Sequence, residues 1–260
     1  MTMPFVTVGL HRLHYHEHRS ASSSERPALV LIHGAGGNLY HWPPALRRLP
    51  GHDVLALDLP GHGRSSGPGC TTITDYATIL AAWLDQVGLS SCVVIGHSMG
   101  GAIALELALR EASRLRGLVL IATGARLRVH PDILNRVRDD PAGVAAMLVE
   151  WAYGPQATPE QKRRYRQHLL RMDREVLYGD WLACDRFDVR AQLEAIALPT
   201  LILAGTADIM TPPSRATFLA AHIPGADLAW IEGAGHMLPL ERPAEVAGAI
   251  RGFVAGLSRS

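Results

Sequence analysis

The stretch Cys92-Val-Val-Ile-Gly-His-Ser-Met-Gly-Gly-Ala102 constrains this chain more than any other. Cys92 to Ile95 is a run of small and β-branched apolar residues, as a short strand buried on both faces requires. Gly96-His97-Ser98-Met99-Gly100 follows with the spacing G-x-S-x-G, and Gly101 to Leu109 reads as a helix of small and aliphatic residues. Between a strand and a helix, that pattern presents a serine as a nucleophile on a sharp turn. Gly96 and Gly100 leave room on either side of the turn because neither carries a Cβ. Ser98 then stands at a helix N-terminus, where free N–H groups and the helix dipole favour developing negative charge. The Met99 N–H is the expected first donor to an oxyanion.

The rest of the chain alternates short apolar runs with helical periodicity. Ala28–Ile32, Val54–Leu57, Gly117–Ala122, Thr200–Ala204 and Leu228–Ile231 read as buried strands. Ile73, Tyr76, Ala77, Leu80, Leu84 and Val87 recur at helical spacing and end at Gly88. Further helices are expected at Tyr40–Leu49, which carries Trp42, at Pro212–His222 and at Ala244–Leu257. Phe5–Val8 and Arg12–Glu17 read as two paired edge strands, with histidines 11, 14, 16 and 18 turned to solvent rather than to a metal. Ser20–Arg26 reads as a polar loop. This alternation predicts an α/β fold, a mostly parallel twisted sheet of about eight strands with helices on both faces.

In such sheets ligand sites gather beyond the carboxyl ends of the strands. Ser98, Asp208 and His236 all directly follow predicted strands, so they converge despite their separation in sequence. A serine needs a base within reach, histidine suits that task near neutral pH, and a carboxylate fixes its tautomer. Asp208 is the only acid directly behind the strand at 200–204, whereas Thr123-Gly124 behind the preceding strand offers none. Among thirteen histidines, only His236 sits in a glycine-flanked loop after the last strand, and Glu232 reads as a surface residue. The glycines of His33-Gly-Ala-Gly-Gly-Asn38 let backbone approach a ligand closely. The N–H of Ala35, with Gly36 as the alternative, is the expected second oxyanion donor. His33 is read as pinning this loop, and Asp58, His62 and Arg64 as a structural network around a tight turn.

Residues from Thr123 to about Arg190 break the alternation. Prolines 131, 141, 155 and 159 punctuate the segment into short helices, and Gln161-Lys-Arg-Arg-Tyr-Arg166 reads as a solvated helix face. The net charge of +1 and pI near 7.9 leave no electrostatic footprint for nucleic acid or an anionic membrane. Three widely spaced cysteines, 70, 92 and 184, form no metal or disulfide pattern, which points to a reducing compartment. With no signal-peptide core or membrane-length apolar run, a cytoplasmic location is expected. Nothing in the chain calls for a metal or an organic cofactor.

Taken together, Gly96-His-Ser-Met-Gly100, His33-Gly34, Asp58-Leu-Pro-Gly-His-Gly-Arg-Ser65, Gly205-x-x-Asp208 and Gly235-His236 resemble the α/β-hydrolase superfamily over nearly the whole chain. Within it the sequence is similar to small carboxylesterases such as pimeloyl-carrier-protein methyl ester esterases. The resemblance implies a core of residues 1–123 and 191–260 and a helical cap of residues 124–190. Met147, Leu148, Trp151, Met172 and Trp181 are expected on the cap's lower face, with Met210 and Met237 facing them from the core. The implied activity is cleavage of carboxylic esters by Ser98, His236 and Asp208 through an acyl-enzyme, the partner being a small ester. Serine at position 98 argues against dehalogenases and epoxide hydrolases, whose counterpart is aspartate. Lactonases, thioesterases and carbon–carbon bond hydrolases share the same pattern, as would a non-catalytic receptor that kept it. An apolar lining poor in fixed cations is expected, and with it a preference for short-to-medium-chain monocarboxylic esters. No feature of the sequence bears on oligomeric state.

Overall fold

Successive side chains of a strand point to opposite faces of its sheet, so a strand covered on both sides must be apolar throughout. β3 (Ala28–Ile32) follows this rule: Ala28, Val30 and Ile32 enter one apolar core, and Leu29 and Leu31 enter another. The computed structural model describes residues 4–20 and 26–257, so the polar loop expected at Ser20–Arg26 lies largely outside the described residues. Before β3 come β1 (Phe5–Val8) and β2 (His11–His18). After it come α1 (Pro44–Arg47), β4 (Val54–Leu57), α2 (Ile73–Gln86), β5 (Cys92–His97), α3 (Met99–Glu111) and β6 (Leu115–Ile121). Four helices follow: α4 (Pro131–Arg136), α5 (Pro141–Ala152), α6 (Pro159–Leu169) and α7 (Arg174–Arg186). The chain closes with β7 (Thr200–Gly205), α8 (Pro213–His222), β8 (Asp227–Ile231), α9 (Leu238–Glu241) and α10 (Pro243–Leu257).

The eight strands form one sheet in the order β1-β2-β4-β3-β5-β6-β7-β8. Only β1 and β2 run antiparallel to their neighbours; β4, β3 and β5 to β8 are mutually parallel. Side chains of α2, α3 and α8 join the core on one face, and those of α1 and α10 the core on the other. The fold is therefore the expected mostly parallel sheet between two helical layers.

Two local expectations change. β2 is not at the sheet edge, because it pairs with β4 as well as β1, so His14 and His16 are buried rather than solvated. His14 Nδ1 lies 2.7 Å from Asp58 Oδ2, and Asp58 also accepts the Leu39 and Arg64 N–H groups, closing the network around the 58–65 turn. The helix expected at Tyr40–Leu49 is split at Pro43-Pro44 into a 3₁₀ turn, Leu39–His41, and α1, because proline cannot donate within a helix. Trp42 sits in the break and is fully buried.

The segment between β6 and β7 carries a third apolar cluster built from α4 to α7, joined from the core by Met237. Pro131, Pro141 and Pro159 each begin a helix, where a missing N–H costs nothing. Thr158 and Gln161 form a capping box at the start of α6. The two ends of the segment meet at its base, where Arg126 bridges Asp188 and the Val189 N–H donates to Ala125 O at 2.8 Å. Among the described residues no helix is long and apolar enough to cross a membrane.

Candidate active site

The turn between β5 and α3 places Ser98 at φ 54°, ψ −117°, a conformation that a residue with a Cβ rarely adopts. Neighbouring groups hold it there. The Ser98 N–H donates to Ile121 O at 2.9 Å, and Thr123 Oγ donates to Ser98 O at 2.8 Å. A Cβ at Gly96 would collide with the Gly100 carbonyl, and one at Gly100 with the Ile32 carbonyl. The two glycines of the motif are thus required by backbone on both sides of the serine.

Ser98 Oγ lies 2.9 Å from His236 Nε2, and His236 Nδ1 lies 2.9 Å from Asp208 Oδ2. The loops after β5, β7 and β8 therefore bring together the three residues singled out in the sequence. Asp208 is almost wholly buried. Burial pushes its carboxyl upward, but the His236 charge and the hydrogen bonds from His236 and Thr211 outweigh that and hold it below the usual carboxylate range. Thr211 Oγ donates to Asp208 Oδ2 at 2.6 Å, and the Met210 and Thr211 N–H groups donate to Oδ1 at 2.8 and 2.9 Å. On the other side, His97 Nε2 donates to the His236 carbonyl at 2.8 Å and is held neutral, pushed down to about 3 by burial and by His236. Thr211 and His97 carried no signal that sequence reasoning used, although both adjoin the residues it named.

The His33–Asn38 loop lies against the elbow, where a Cβ on Gly34 would stand 3.0 Å from that of Ser98. His33 Nδ1 donates to Gly34 O at 2.9 Å and its Nε2 accepts the Leu59 N–H at 3.1 Å, so this histidine pins the loop to the turn after β4. The two oxyanion candidates differ in what occupies them. The Gly36 N–H donates to Asp180 Oδ2 at 2.7 Å, while the Ala35 N–H has no partner among the described residues. Asp180, on α7, also faces His62 Nε2 at 2.8 Å and accepts the Tyr76 O–H at 2.6 Å. His62 Nδ1 donates to Pro60 O at 2.9 Å, so both ring nitrogens face acceptors. Burial alone would lower this imidazole, but the Asp180 charge and hydrogen bond outweigh burial and raise it above its ordinary value. His168 Nε2, on α6, donates to Gly36 O at 2.7 Å. Both sides of the Gly36 peptide are therefore gripped by the segment between β6 and β7, a connection that no local sequence pattern discloses.

A cavity of about 500 Å³ opens beside Ser98 and His236. Trp151, Trp181 and Met210 line it, and a smaller recess on the Ala35 side is lined by Trp181, Met210 and Met237. Three expected lining residues are elsewhere. Leu148 is wholly inside the third apolar cluster, Met147 packs on that cluster, and Met172 lies beyond α6, at neither cavity. The apolar periodicity that singled them out reports packing between helices as readily as exposure to a pocket. A cation-poor lining is not what the fold provides either, because Arg128 and Arg215 both line the larger cavity, with His130 also in the lining. Among the described residues no cluster of three metal-ligating side chains is present.

The family described as the alpha/beta hydrolase fold matches residues 27–243, and this protein belongs to it. Among curated relatives, a putative carbamate hydrolase RutD of Pseudomonas syringae pv. syringae is 30% identical, covering 93% of this chain and 98% of the relative. A pimeloyl-[acyl-carrier protein] methyl ester esterase of Neisseria meningitidis is also 30% identical, over 88% of this chain and 94% of the relative. Among solved structures, a thermophilic esterase superposes with a TM-score of 0.85 at 32% identity, over 98% of both chains. The enol-lactonase of Burkholderia xenovorans superposes with a TM-score of 0.90 at 26% identity, over 97% of this chain and all of that one.

Proposed function

We propose that this protein hydrolyses small carboxylic esters through a covalent acyl-enzyme, with Ser98 as nucleophile, His236 as general base and then acid, and Asp208 as its orienting carboxylate. The observation that carries this reading is the continuous chain Ser98 Oγ–His236 Nε2 and His236 Nδ1–Asp208 Oδ2, each link 2.9 Å, opening on the cavity. His236 takes the Ser98 proton as Oγ attacks the ester carbonyl. The Met99 and Ala35 N–H groups receive the oxyanion; Ala35 is favoured over Gly36 because the Gly36 N–H donates to Asp180. His236 returns the proton to the leaving alcohol, and a water activated by the same imidazole then releases the acid.

Residues 124–190 act in this reading as a cap on a core of residues 1–123 and 191–260, since Trp151 and Trp181 share the cavity with Ser98. The esterase relatives favour an open-chain ester, and the enol-lactonase likeness extends the reading to lactones, whose leaving alcohol simply stays tethered. The test is turnover of short-chain chromogenic esters by purified protein. Ser98→Ala should lower kcat by at least about a thousandfold while leaving the thermal transition within a few degrees. Esterase activity that survives Ser98→Ala would defeat the assignment. A lactone or carbamate preferred a hundredfold or more over every open-chain ester would change the substrate class and leave the triad in place.

A further inference from the structure

The larger cavity carries more positive charge than ester hydrolysis needs. Arg128 and His130 reach it from the segment leading into α4, and Arg215 from α8 on the core side. No aspartate or glutamate is among its lining residues. Elsewhere several surface arginines meet carboxylates: Arg136 meets Asp140, Arg138 meets Glu175, and Arg163 and Arg164 meet Glu160. Among the described residues neither Arg128 nor Arg215 makes a salt bridge. Arg215 is partly buried and donates from one nitrogen to Arg126 O, which leaves most of its five N–H groups unspent. It feels the field of Asp208, but that carboxylate is fully engaged by His236, Thr211 and the Met210 N–H. His130 Nδ1 accepts the Asp132 N–H at 3.3 Å, so its Nε2 carries the proton and adds a third donor.

A partly buried guanidinium without a carboxylate is costly unless a ligand supplies one, and a planar fork suits a carboxylate. The walls between these donors and Ser98 are apolar, with Leu127, Val129, Ile133 and Trp151 among them. About 500 Å³ is the size of a small-molecule site. We propose that Arg128 and Arg215, assisted by His130, form a subsite for a free carboxylate, so that the preferred substrates are esters carrying a second, ionised acid group across a short apolar spacer. This deepens the ester-hydrolase reading and rests on it for turnover, although the subsite itself would bind a dicarboxylate without any reaction.

The experiment compares monoethyl and diethyl esters of succinate, glutarate and adipate by kcat/KM. The half-ester of at least one acid should exceed its diester by about tenfold or more. Arg128→Gln and Arg215→Gln should each cut that half-ester to diester ratio by about tenfold; a variant that merely lost folded protein would lose both substrates together and keep the ratio. Arg128→Glu should shift preference toward an ester bearing an ammonium group, such as ethyl 4-aminobutyrate. Calorimetric titration with glutarate, a product rather than a substrate, reads the subsite independently of turnover and should show binding that Arg128→Gln weakens. Diesters hydrolysed as well as half-esters, or a ratio unmoved by both glutamine variants, would overturn the subsite. If no ester is turned over above the Ser98→Ala background, the hydrolase reading fails by itself, and glutarate binding or its absence still decides the subsite.

Discussion

Four donors converge on the Asp208 carboxylate: the Met210 and Thr211 N–H groups, the Thr211 hydroxyl and His236 Nδ1. Such crowding keeps a buried acid ionised and aims one of its oxygens at the imidazole. Thr211→Val removes one donor while conserving shape. Its kcat should fall by about tenfold with little change in KM, and Thr211→Ser should restore most of it, as steady-state kinetics on the three forms would show. A valine variant as active as the parent would mean that the backbone donors suffice. At the elbow the constraint is steric instead. A methyl group at residue 100 meets the Ile32 carbonyl, which belongs to the central strand and cannot yield. Gly100→Ala should therefore cost several kcal/mol, on the order of 3 or more, visible as a lower urea midpoint.

At the scale of elements, α7 does more than cover the site. Its Asp180 holds the Gly36 N–H, faces His62 and accepts from Tyr76, joining α7 to the loop after β3, the 58–65 turn and α2. With His168 of α6 on the Gly36 carbonyl, the residue next to Ala35 is fixed from outside the core. Asp180→Asn keeps the size but removes the charge that faces His62 and weakens the acceptor shared by the Gly36 N–H and the Tyr76 hydroxyl. A loss of about 3–5 kcal/mol in stability is expected from urea unfolding, together with a reduced kcat below the melting range. Parental stability and kcat in this variant would show that the clamp is dispensable.

For the whole molecule, the buried histidines set the response to acid. His97 is pushed down to about 3, and burial first, then neighbouring imidazoles, hold His33, His41 and His168 below their ordinary range. Between a folded value near 3 and the ordinary 6.5, the unfolded chain binds a proton at His97 that the native one refuses. Stability therefore falls as pH drops below 6.5, His97 contributing up to about 1.4 kcal/mol per pH unit between those two values and the other lowered imidazoles acting in the same direction. His62 has the opposite sign, its raised value adding stability that is present below 6.5 and lost as pH rises through the folded value. One raised imidazole against six lowered ones, His16 and His52 among them, decides the direction. The urea midpoint should drop between pH 7 and pH 5, and a midpoint that rises on acidification would contradict this reading.

What the sequence determined by itself is what local chemistry dictates: uniformly apolar runs for strands covered on both faces, helical periodicity between them, and the residues that follow each strand. Because a parallel sheet puts the ends of its strands on one edge, Ser98, Asp208, His236 and the His33–Asn38 loop could be grouped from order alone. Tertiary structure decided what depends on contacts between distant segments. His14 looked solvated until β4 closed over the far side of β2, and Gly36 stood as an alternative to Ala35 while nothing in the sequence showed that Asp180, far along the chain, accepts its N–H. Apolar residues of α5 could not be sorted into packing and lining, because the same periodicity serves a helix core and a pocket wall. Nothing in the sequence singled out Arg128 or Arg215, and only the fold brings both to the cavity that holds the nucleophile, with no aspartate or glutamate in its lining.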